Sequence, residues 1–385
     1  MDSLNLEKIE IAKQILKRLI EDDFIGNDPY QIDELVFSDK SKFKFLKRLR
    51  MLLKPFHALI PKKIFTSFPK LEFPTVYAQI LQSNARLFAI TNDKSFLAKQ
   101  DELFEKLLDL SLSDKVLVFG LPFEWGGAIR YKKNTPFTVD QAFILEAFID
   151  CYRYLGDQKY LDAALKVVRY LIDQVKIINY DNDSSYVHYS EQDKIIAFNV
   201  VAVTAYVLTY YLKYSKTELY SNNEIKKLLR YVCKMQKDDG SWEYGLLENT
   251  KFDVVDNRHT CYIIYSFLSI KEISTEFDSI INSVLDSAIT YYKINMLDGY
   301  LPKWSAEETF PIDSSDIAMS LLIQNKIYDL NSSKLFKYAI ENLYDGKGGF
   351  YFKIYSNGKK NKSLFIRWSH GWMYYSIARI IKNEN

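Results

Sequence analysis

The stretch AFNVVAVTAYVLTYY, residues 197–211, decides the fold of this chain. Drawn as an α-helix, it carries apolar or aromatic side chains on nearly every face, and a helix that is apolar all round is buried. A second helical pattern follows at residues 222–236, and it is less apolar than the first. We therefore predict a helical pair in which the helix over 194–214 lies inside and the helix over 222–236 lies outside.

The same pair recurs along the chain. Apolar residues at i, i+3, i+4 and i+7 predict the helices, and an aromatic residue marks the loop after each pair. Successive markers are 61, 56, 62 and 64 residues apart, and such a period, built from two helices, is typical of a repeat architecture. The markers are Trp125, Tyr186, Trp242, Trp304 and Trp368. The other predicted pairs are 75–91 with 96–111, 138–155 with 159–177, 259–271 with 276–296, and 313–327 with 332–344, and a last helix covers 366–382.

This count leaves six inner helices but only five outer ones, and the helix predicted at 5–21 supplies the sixth. The expected fold is all-α, an (α/α)6 toroid of helical hairpins with small extended hairpins in the rim loops. We predict one domain over residues 1–385, with an irregular basic segment at 22–70. In such a ring, every loop that leads from an outer helix to the next inner helix lies at the same rim.

Bulk properties restrict the class of function. The net charge is +2, which predicts no nucleic-acid partner. Three cysteines without a CxxC pair suit a reducing compartment. The first residues lack the pattern of a signal peptide, and no apolar run is long enough to span a bilayer. We expect a cytoplasmic protein.

A basic run departs from this neutral balance. Ten Lys or Arg and no acid lie between Lys40 and Lys70, and leucines interleave with them at helical spacing. One interpretation is a solvated helix face packed by its leucines. The alternative is peripheral contact of residues 40–63 with the anionic inner face of a membrane.

Two rim loops carry candidate residues in the first half of the chain. In GLPFEWGGAIRYKKNTPFTVD, residues 120–140, Glu124 stands beside Trp125, and burial against an indole raises a carboxyl pKa toward general-acid use. The alternative is an ordinary loop acid. In SYVHYSEQDKIIAFNV, residues 185–200, one face of a short extended stretch could line a pocket. That loop contributes Tyr186, His188, Tyr189 and, inside the apolar helix that follows, Asn199.

The middle rim loops read QKDDGSWEYG at 236–245 and DNRHTCY at 256–262. An acid or amide just before a helix caps it, so capping is one role for Asp256 or Asn257. His259 lies near the rim end of a buried helix, where a general base could meet a substrate. The candidates from these loops are Trp242, Tyr244, Asp256, Asn257 and His259.

The last rim loops read FPIDSSDIAMSLL at 310–322 and GGFYFK with RWSHGWM near the end of the chain. Asp313 and Asp316 share one helix side and could act as paired carboxylates, or they could serve as cap and first-turn acid. Arginine beside tryptophan suits an anionic sugar or a carboxylate. The candidates from the last loop are Arg367, Trp368 and His370.

No pattern in the sequence predicts a metal or a cofactor. His259 and Cys261 are two residues apart, but no further ligands follow at the usual spacings. A phosphate-binding glycine loop, a dinucleotide fingerprint and a nucleophile elbow are all missing.

Two family resemblances rest on these motifs. QKDDGSWEYG resembles the DGSW repeat of terpenoid-cyclase and prenyltransferase toroids, and IDSSDIAM resembles the acidic segment of squalene-hopene-type cyclases. Ser315 stands where those cyclases place their proton-donating Asp, which argues against cyclase chemistry. A longer resemblance, to the VpsJ-like polysaccharide-biosynthesis proteins, follows a series of motifs in order. The series is a basic segment near 47–63, then GLPFEW, TPFTVD, the Tyr-Ser segment before FN, QKDDGSWEYG, DNRHT, PIDSSD, GGFYFK and RWSHGWM.

The VpsJ-like resemblance implies a role in capsule, O-antigen or exopolysaccharide assembly. We therefore expect an enzyme acting on a saccharide or lipid-linked saccharide by acid–base chemistry, as a hydrolase, lyase or epimerase does. Glu124, Asp256 and Asp313 are the candidate acid and base, with His259 as a second base. The predicted substrate-binding residues are Trp125, Tyr186, His188, Tyr189, Asn199, Trp242, Tyr244, Asn257, Asp316, Arg367, Trp368 and His370. The alternatives are a glycan-binding or scaffolding protein and, less favoured, a terpenoid-cyclase-like enzyme.

Overall fold

The computed structural model describes residues 2–33, 68–127, 129–248 and 250–382. Within these ranges the chain forms twelve α-helices. Their bounds are α1 Ser3–Glu21, α2 Pro74–Thr91, α3 Gln100–Asp109, α4 Thr138–Leu155, α5 Gln158–Tyr170, α6 Phe198–Tyr214, α7 Asn222–Lys234, α8 Asn257–Ile273, α9 Asp278–Tyr291, α10 Ser314–Lys326, α11 Ser332–Asn342 and α12 Trp372–Ile380. A π-helical segment, Ile366–Gly371, leads directly into α12.

Six of these helices form a closed inner ring. Helix α2 contacts α4, and contacts continue through α6, α8, α10 and α12 back to α2. The outer helices α3, α5, α7, α9 and α11 each pack on the inner helix that precedes them in the chain, and α1 packs on α12. The predicted (α/α)6 toroid is therefore confirmed, and so is the pairing of the N-terminal helix with the last one.

Hydrophobicity explains which helix lies inside. In α6 every residue from Phe198 to Tyr211 is buried, as expected for a helix apolar on all sides. Its partner α7 buries one stripe and is held at its start by a capping box between Ser221 and Glu224. Gly156 ends α4 in the left-handed conformation, φ 74°, and turns the chain into α5 at the opposite rim.

Short antiparallel strands occupy the rim loops, as predicted. In the part of the chain that the structure describes, they form five small sheets, β1–β2, β3–β4, β5–β6–β7, β8–β9 and β10–β11–β12. Their bounds are β1 Trp125–Gly126, β2 Arg130–Tyr131, β3 Ile178–Asn179, β4 Ser185–Tyr186, β5 Ile195–Ala197, β6 Gly245–Leu247, β7 Thr250–Phe252, β8 Leu297–Asp298, β9 Leu301–Pro302, β10 Ile312–Asp313, β11 Lys353–Ile354 and β12 Lys360–Asn361. The β5–β6 pairing draws the 236–245 loop against the start of α6, where the Phe198 amide donates to the Tyr244 carbonyl at 3.1 Å.

A polar cluster fills the centre of the ring below the rim. Arg379 of α12 donates to Glu146 at 2.9 Å and also to Asp150, and both acids belong to α4. Tyr206 of α6 donates to Glu146 at 2.8 Å, and Tyr210 donates to Asp150 at 2.6 Å. Charges buried this deeply require partners, and here the partners come from different inner helices.

Several expectations remain outside what the structure covers. Most of the basic segment, including the proposed membrane-contacting residues 40–63, lies outside the described residues. The prediction of one domain over the whole chain therefore stays a prediction. No helix within the described ranges is long and apolar enough to cross a membrane.

Closure of the ring by α1 can be tested at two neighbouring glycines. Gly346 and Gly348 both have positive φ, 76° and 85°, so alanine is strained at either position by about 1–2 kcal/mol. A Cβ on Gly346 meets nothing within 4 Å, whereas one on Gly348 lies 2.2 Å from the backbone oxygen of Gln14 in α1. Gly348→Ala should therefore lower the free energy of unfolding by about 1–3 kcal/mol more than Gly346→Ala. Chemical denaturation of the two variants measures the difference, and equal losses would contradict the docking of α1 against this turn.

Candidate functional site

A cavity of about 340 Å³ opens at the rim where the inner helices begin. Its lining comes from the first turns of α2, α4, α6, α8 and α12 and from the loops before them. We call it the rim cavity. Most of its wall is aromatic, and the aromatic lining residues are Tyr30, Trp125, Tyr131, Phe137, Phe143, Tyr189, Tyr244, Phe252, Tyr262, Trp368 and Trp372.

One side of the rim cavity is an aromatic wall organised around Trp125. The Trp125 and Tyr131 rings stack with centroids 5.3 Å apart and an interplanar angle of 14°, because β1 and β2 pair these two residues. Phe137 meets Trp125 edge-on at 5.5 Å, and Tyr189 lies tilted at 5.0 Å from Phe137. Aromatic rings locked by their neighbours offer a rigid apolar surface.

His259 and Asp256 form a hydrogen-bonded pair at the start of α8. One carboxylate oxygen of Asp256 accepts from the His259 backbone amide at 2.9 Å, and the other lies 2.6 Å from Nδ1 of the imidazole. Asp256 therefore caps the helix and orients the histidine at the same time. Burial alone would raise the pKa of Asp256, but the attraction and hydrogen bonds of His259 outweigh burial and lower it.

This pairing fixes the chemistry that His259 can offer. A carboxylate at Nδ1 favours the tautomer with its proton on that nitrogen, which leaves Nε2 with a free lone pair. The ring lies edge-on to Tyr244 at 4.6 Å and lines the rim cavity. In that tautomer, Nε2 could accept a proton from a bound molecule.

Asp140, in the first turn of α4, is the second titratable group of the rim cavity. Its carboxylate makes no hydrogen bond or ion pair with any residue in the described ranges. Burial raises its pKa to about 6, with Arg367 opposing that rise and Asp28 adding to it. A carboxyl group with such a pKa is protonated in part of the population near neutral pH and can serve as a general acid.

Arg258 joins the rim cavity to a buried acidic pair at the start of α10. Its Nε lies 3.1 Å from Asp316, and its Nη2 lies 3.6 Å from Asp313. The β10–β11 pairing places Lys353 opposite Asp313, at 3.3 Å between Nζ and a carboxylate oxygen. Burial raises the pKa of Asp316 to about 7, although Arg258 acts against it.

Arg367 lines the rim cavity on the same side as Arg258 and belongs to the π-helical segment before α12. Its Nε donates to Asp28 at 2.6 Å, and Asp28 is completely buried because it caps the short turn Pro29–Gln31. The two guanidinium groups share one aromatic neighbour. The Arg258 and Arg367 carbons lie 4.5 and 4.8 Å from the centroid of the Trp368 ring.

Asn199 adds an unsatisfied polar group to the lining. The residue is 3% exposed, and its Oδ1 has no hydrogen-bond partner within the described part of the chain. A buried acceptor without a donor costs free energy. A hydroxyl of a bound molecule is a suitable partner for this amide.

The structure brings together eight of the residues predicted from sequence. Seven line the rim cavity, and the eighth, Asp256, contacts the lining residue His259 directly. The seven are Trp125, Tyr189, Asn199, Tyr244, His259, Arg367 and Trp368. Asp313 and Asp316 do not line the rim cavity, but both form ion pairs with Arg258, which does.

Other predicted residues lie elsewhere. Glu124 is outside the lining of the rim cavity and is held by Arg130 at 2.6 Å. Tyr186 and His188 pack against each other at 5.5 Å, and the His188 carbonyl accepts from Thr138. Trp242 is a core residue whose indole N–H donates to the Val232 carbonyl at 2.8 Å.

Asn257 and His370 also face away from the rim cavity. The Asn257 amide donates to the Met296 carbonyl at 3.2 Å and receives Cys261 and Ser320 as donors, which is a structural role. His370 lines a second, smaller cavity beside Arg18, and burial lowers its pKa to about 4. Ser315, in the position of the cyclase proton donor, is buried and donates to Asp313 at 2.6 Å.

Several lining residues were not singled out from the sequence. Asp140 occupies the first turn of a helix, where acids are common for electrostatic reasons alone, so its position gave no separate signal. Arg258 lies between the candidates Asn257 and His259 in DNRHT, and no sequence pattern marks it separately. Within the described ranges, no group of three or more His, Cys, Asp or Glu residues is arranged to hold a metal ion.

The raised pKa of Asp140 predicts a pH-dependent stability. The folded chain binds this proton more tightly than the unfolded chain, whose carboxyl has an ordinary value of 3.8, so stability falls as pH rises from about 4 to beyond about 6. Asp140→Asn removes that loss. The free energy of unfolding of the variant, minus that of the parent, should therefore be about 1–3 kcal/mol larger at pH of about 7.5 than at pH of about 4.

Denaturation curves at the two pH values measure this effect. Asp114→Asn is the matched control, because Asp114 is an exposed acid on a loop and its replacement should leave the pH dependence unchanged. A difference between Asp140→Asn and the parent that stays constant with pH would contradict the assignment.

Comparison with known proteins identifies relatives by fold. No protein-family model and no curated protein sequence matches the chain. The cellobiose 2-epimerase of Bacillus thermoamylovorans superposes with a TM-score of 0.63 at 12% identity, covering 80% of this chain and 87% of that one. A sugar epimerase from a ruminal bacterium gives 0.60 at 11% identity, covering 82% and 88%. The GH76 alpha-mannanase of Bacteroides thetaiotaomicron gives 0.61 at 10% identity, covering 80% and 86%. These likenesses show that the chain has the (α/α)6 toroid fold.

Proposed function

We propose that the protein is a carbohydrate-active enzyme that performs acid–base chemistry on a saccharide bound in the rim cavity. The observation that carries this proposal is that His259, held by Asp256 at 2.6 Å, lines an aromatic cavity that Asp140 also lines. Acid–base catalysis needs two groups that face one bound substrate from the same cavity.

The shape and lining of the cavity suit a sugar. The C–H faces of a pyranose ring can pack on the aromatic wall of Trp125 and Tyr189, while its hydroxyls reach polar groups such as the Asn199 amide. Small-molecule sites commonly combine an apolar lining with a few placed polar groups. The fold relatives named above include two sugar epimerases and a mannanase, and this adds support by analogy.

Among acid–base reactions, the geometry favours removal of a proton from a sugar carbon. His259 Nε2 would take the proton, the C–H electron pair would stay on the substrate, and protonated Asp140 would supply a proton elsewhere on the sugar. Hydrolysis of a glycosidic bond normally uses two carboxyl groups that flank the bond. Here Asp256 is engaged by His259, which leaves Asp140 as the carboxyl of the lining without an ion-pair partner in the described residues. An epimerase or lyase reaction is therefore our first choice and a hydrolase reaction our second.

The biological setting is a narrower proposal. The series of motifs shared with VpsJ-like proteins supports a role in the biosynthesis of a cell-surface polysaccharide, on the cytoplasmic side. The basic residues between 40 and 63 would suit contact with an anionic membrane or with a lipid-linked saccharide.

The function can be tested by incubating the protein with mono- and oligosaccharides in D₂O and following the products by NMR. An epimerase returns a solvent-derived deuteron to the carbon that lost its proton, so deuterium should appear on a sugar carbon. A lyase instead expels the leaving oxygen and leaves a carbon–carbon double bond, so a vinyl proton resonance should appear in its product. His259→Gln should lower kcat by at least about 100-fold, since it removes the base. His188→Gln is the matched control, because His188 is a partly buried rim histidine outside the cavity lining and its replacement should leave kcat unchanged.

The other outcomes separate the alternatives. Release of a new reducing end with neither deuterium on carbon nor a carbon–carbon double bond in the products would overturn proton abstraction in favour of hydrolysis. Saccharide binding that His259→Gln does not affect, with no turnover across the panel, would overturn the enzyme in favour of a glycan-binding or scaffolding protein.

A further inference from the structure

Two arginines occupy one wall of the rim cavity, and the acid–base mechanism proposed above uses neither. Arg258 comes from the first turn of α8, and Arg367 comes from the π-helical segment before α12. Both line the cavity, and both lie against the Trp368 ring. They are distant in the chain, so the fold itself brings these two guanidinium groups together.

Each guanidinium group is held from behind by carboxylates. The Nε of Arg258 donates to Asp316 and its Nη2 lies 3.6 Å from Asp313, whereas the Nε of Arg367 donates to Asp28. Nη1 of Arg258 and both Nη atoms of Arg367 donate no hydrogen bond to any residue in the described ranges. The carboxylates therefore fix each group in the wall and leave these remaining N–H donors for a ligand.

The surroundings make these donors strong. The two side chains are only 11% and 15% exposed, and Arg367 is flanked by the rings of Phe73 and Phe123 at 5.7 and 6.0 Å. Ion pairs strengthen where water is excluded.

The local charge can accommodate an added anion. Asp28 and Asp313 are 0% and 1% exposed, so they hold the arginines without competing inside the cavity. Burial raises the pKa of Asp316 to about 7 against the influence of Arg258. Asp316 can therefore take up a proton when an anion binds to Arg258.

We infer that the saccharide bound in the rim cavity is an anionic sugar, whose oxyanion group accepts hydrogen bonds from Arg258 and Arg367. This inference rests on the proposed function and names its substrate class. A guanidinium group matches a carboxylate or a phosphate ester by two parallel N–H···O bonds. The oxyanion is therefore the carboxylate of a uronic acid or the phosphate of a sugar phosphate.

The test is a comparison of ligand affinities by NMR titration of the full chain. The probes are D-glucuronate, D-glucose 6-phosphate, D-glucose and the methyl ester of D-glucuronate. At least one of the two anions should bind about tenfold or more tightly than glucose, since charge-assisted hydrogen bonds are strong. The ester should bind like glucose. Whichever anion binds more tightly identifies the oxyanion.

Charge-balanced variants assign the effect to the arginines. Arg367→Met combined with Asp28→Asn removes a complete ion pair, so no unpaired buried charge remains. This variant should bind the anions no more tightly than glucose. If it does not fold, Arg258→Met with Asp316→Asn removes the other pair and should give the same result. The control is Arg230→Met on the outer helix α7, which should retain the full preference for the anion.

Each contrary outcome has its own meaning. Equal affinity of the parent protein for glucose and for both anions would overturn the inference and leave the proposed function standing. An anion preference that survives in the charge-balanced variants would also overturn it. If none of the saccharides binds, the proposed function falls together with the inference.

Discussion

The buried ion cluster of Arg379 with Glu146 and Asp150 is the constraint on which the rest of the structure depends. It connects α12 to α4, and tyrosines of α6 and α8 surround it together with Gln82 of α2. Lys326 of α10 completes the circle by lying over the Tyr265 ring at 5.4 Å. Because unpaired charges cannot remain in such a core, all six inner helices must meet at one height. Their N-terminal ends then converge at one rim.

That convergence explains why the chemistry is concentrated there. The first turn of an inner helix leaves backbone N–H groups unpaired, and side chains with carboxylates satisfy them. At Asp256 the capping carboxylate also orients His259, and at Asp313 it also binds Lys353 and faces Arg258. The carboxylates that cap the starts of α8 and α10 thus also hold His259 and Arg258 in place. The same two carboxylates, Asp256 and Asp313, therefore cap helices and also position the side chains with candidate chemical roles.

Much of the fold could be predicted from sequence because it follows from hydrophobic periodicity. The all-apolar α6, the repeated pairs and the missing sixth outer helix were sufficient to predict a closed ring completed by α1. The site was harder to predict, because a loop residue is positioned by partners that sequence order does not reveal. Glu124 accepts a hydrogen bond from Arg130 across a short hairpin. Trp242 is buried in the core, where its indole N–H donates to the Val232 carbonyl. Asp140 was missed because an acid in a first turn needs no function to explain it. Only three-dimensional packing shows that it faces the cavity with no hydrogen-bond or ion-pair partner among the described residues.

We expect the rim cavity to hold a saccharide between its aromatic wall and His259. A crystal structure of the protein soaked with a saccharide that it binds in solution tests this most directly. Electron density for a sugar ring should lie against Trp125 or Tyr189, with a substrate atom within hydrogen-bond reach of His259 Nε2. Density for the sugar at another place, such as the smaller cavity beside His370, with the rim cavity empty at saturating saccharide, would contradict it.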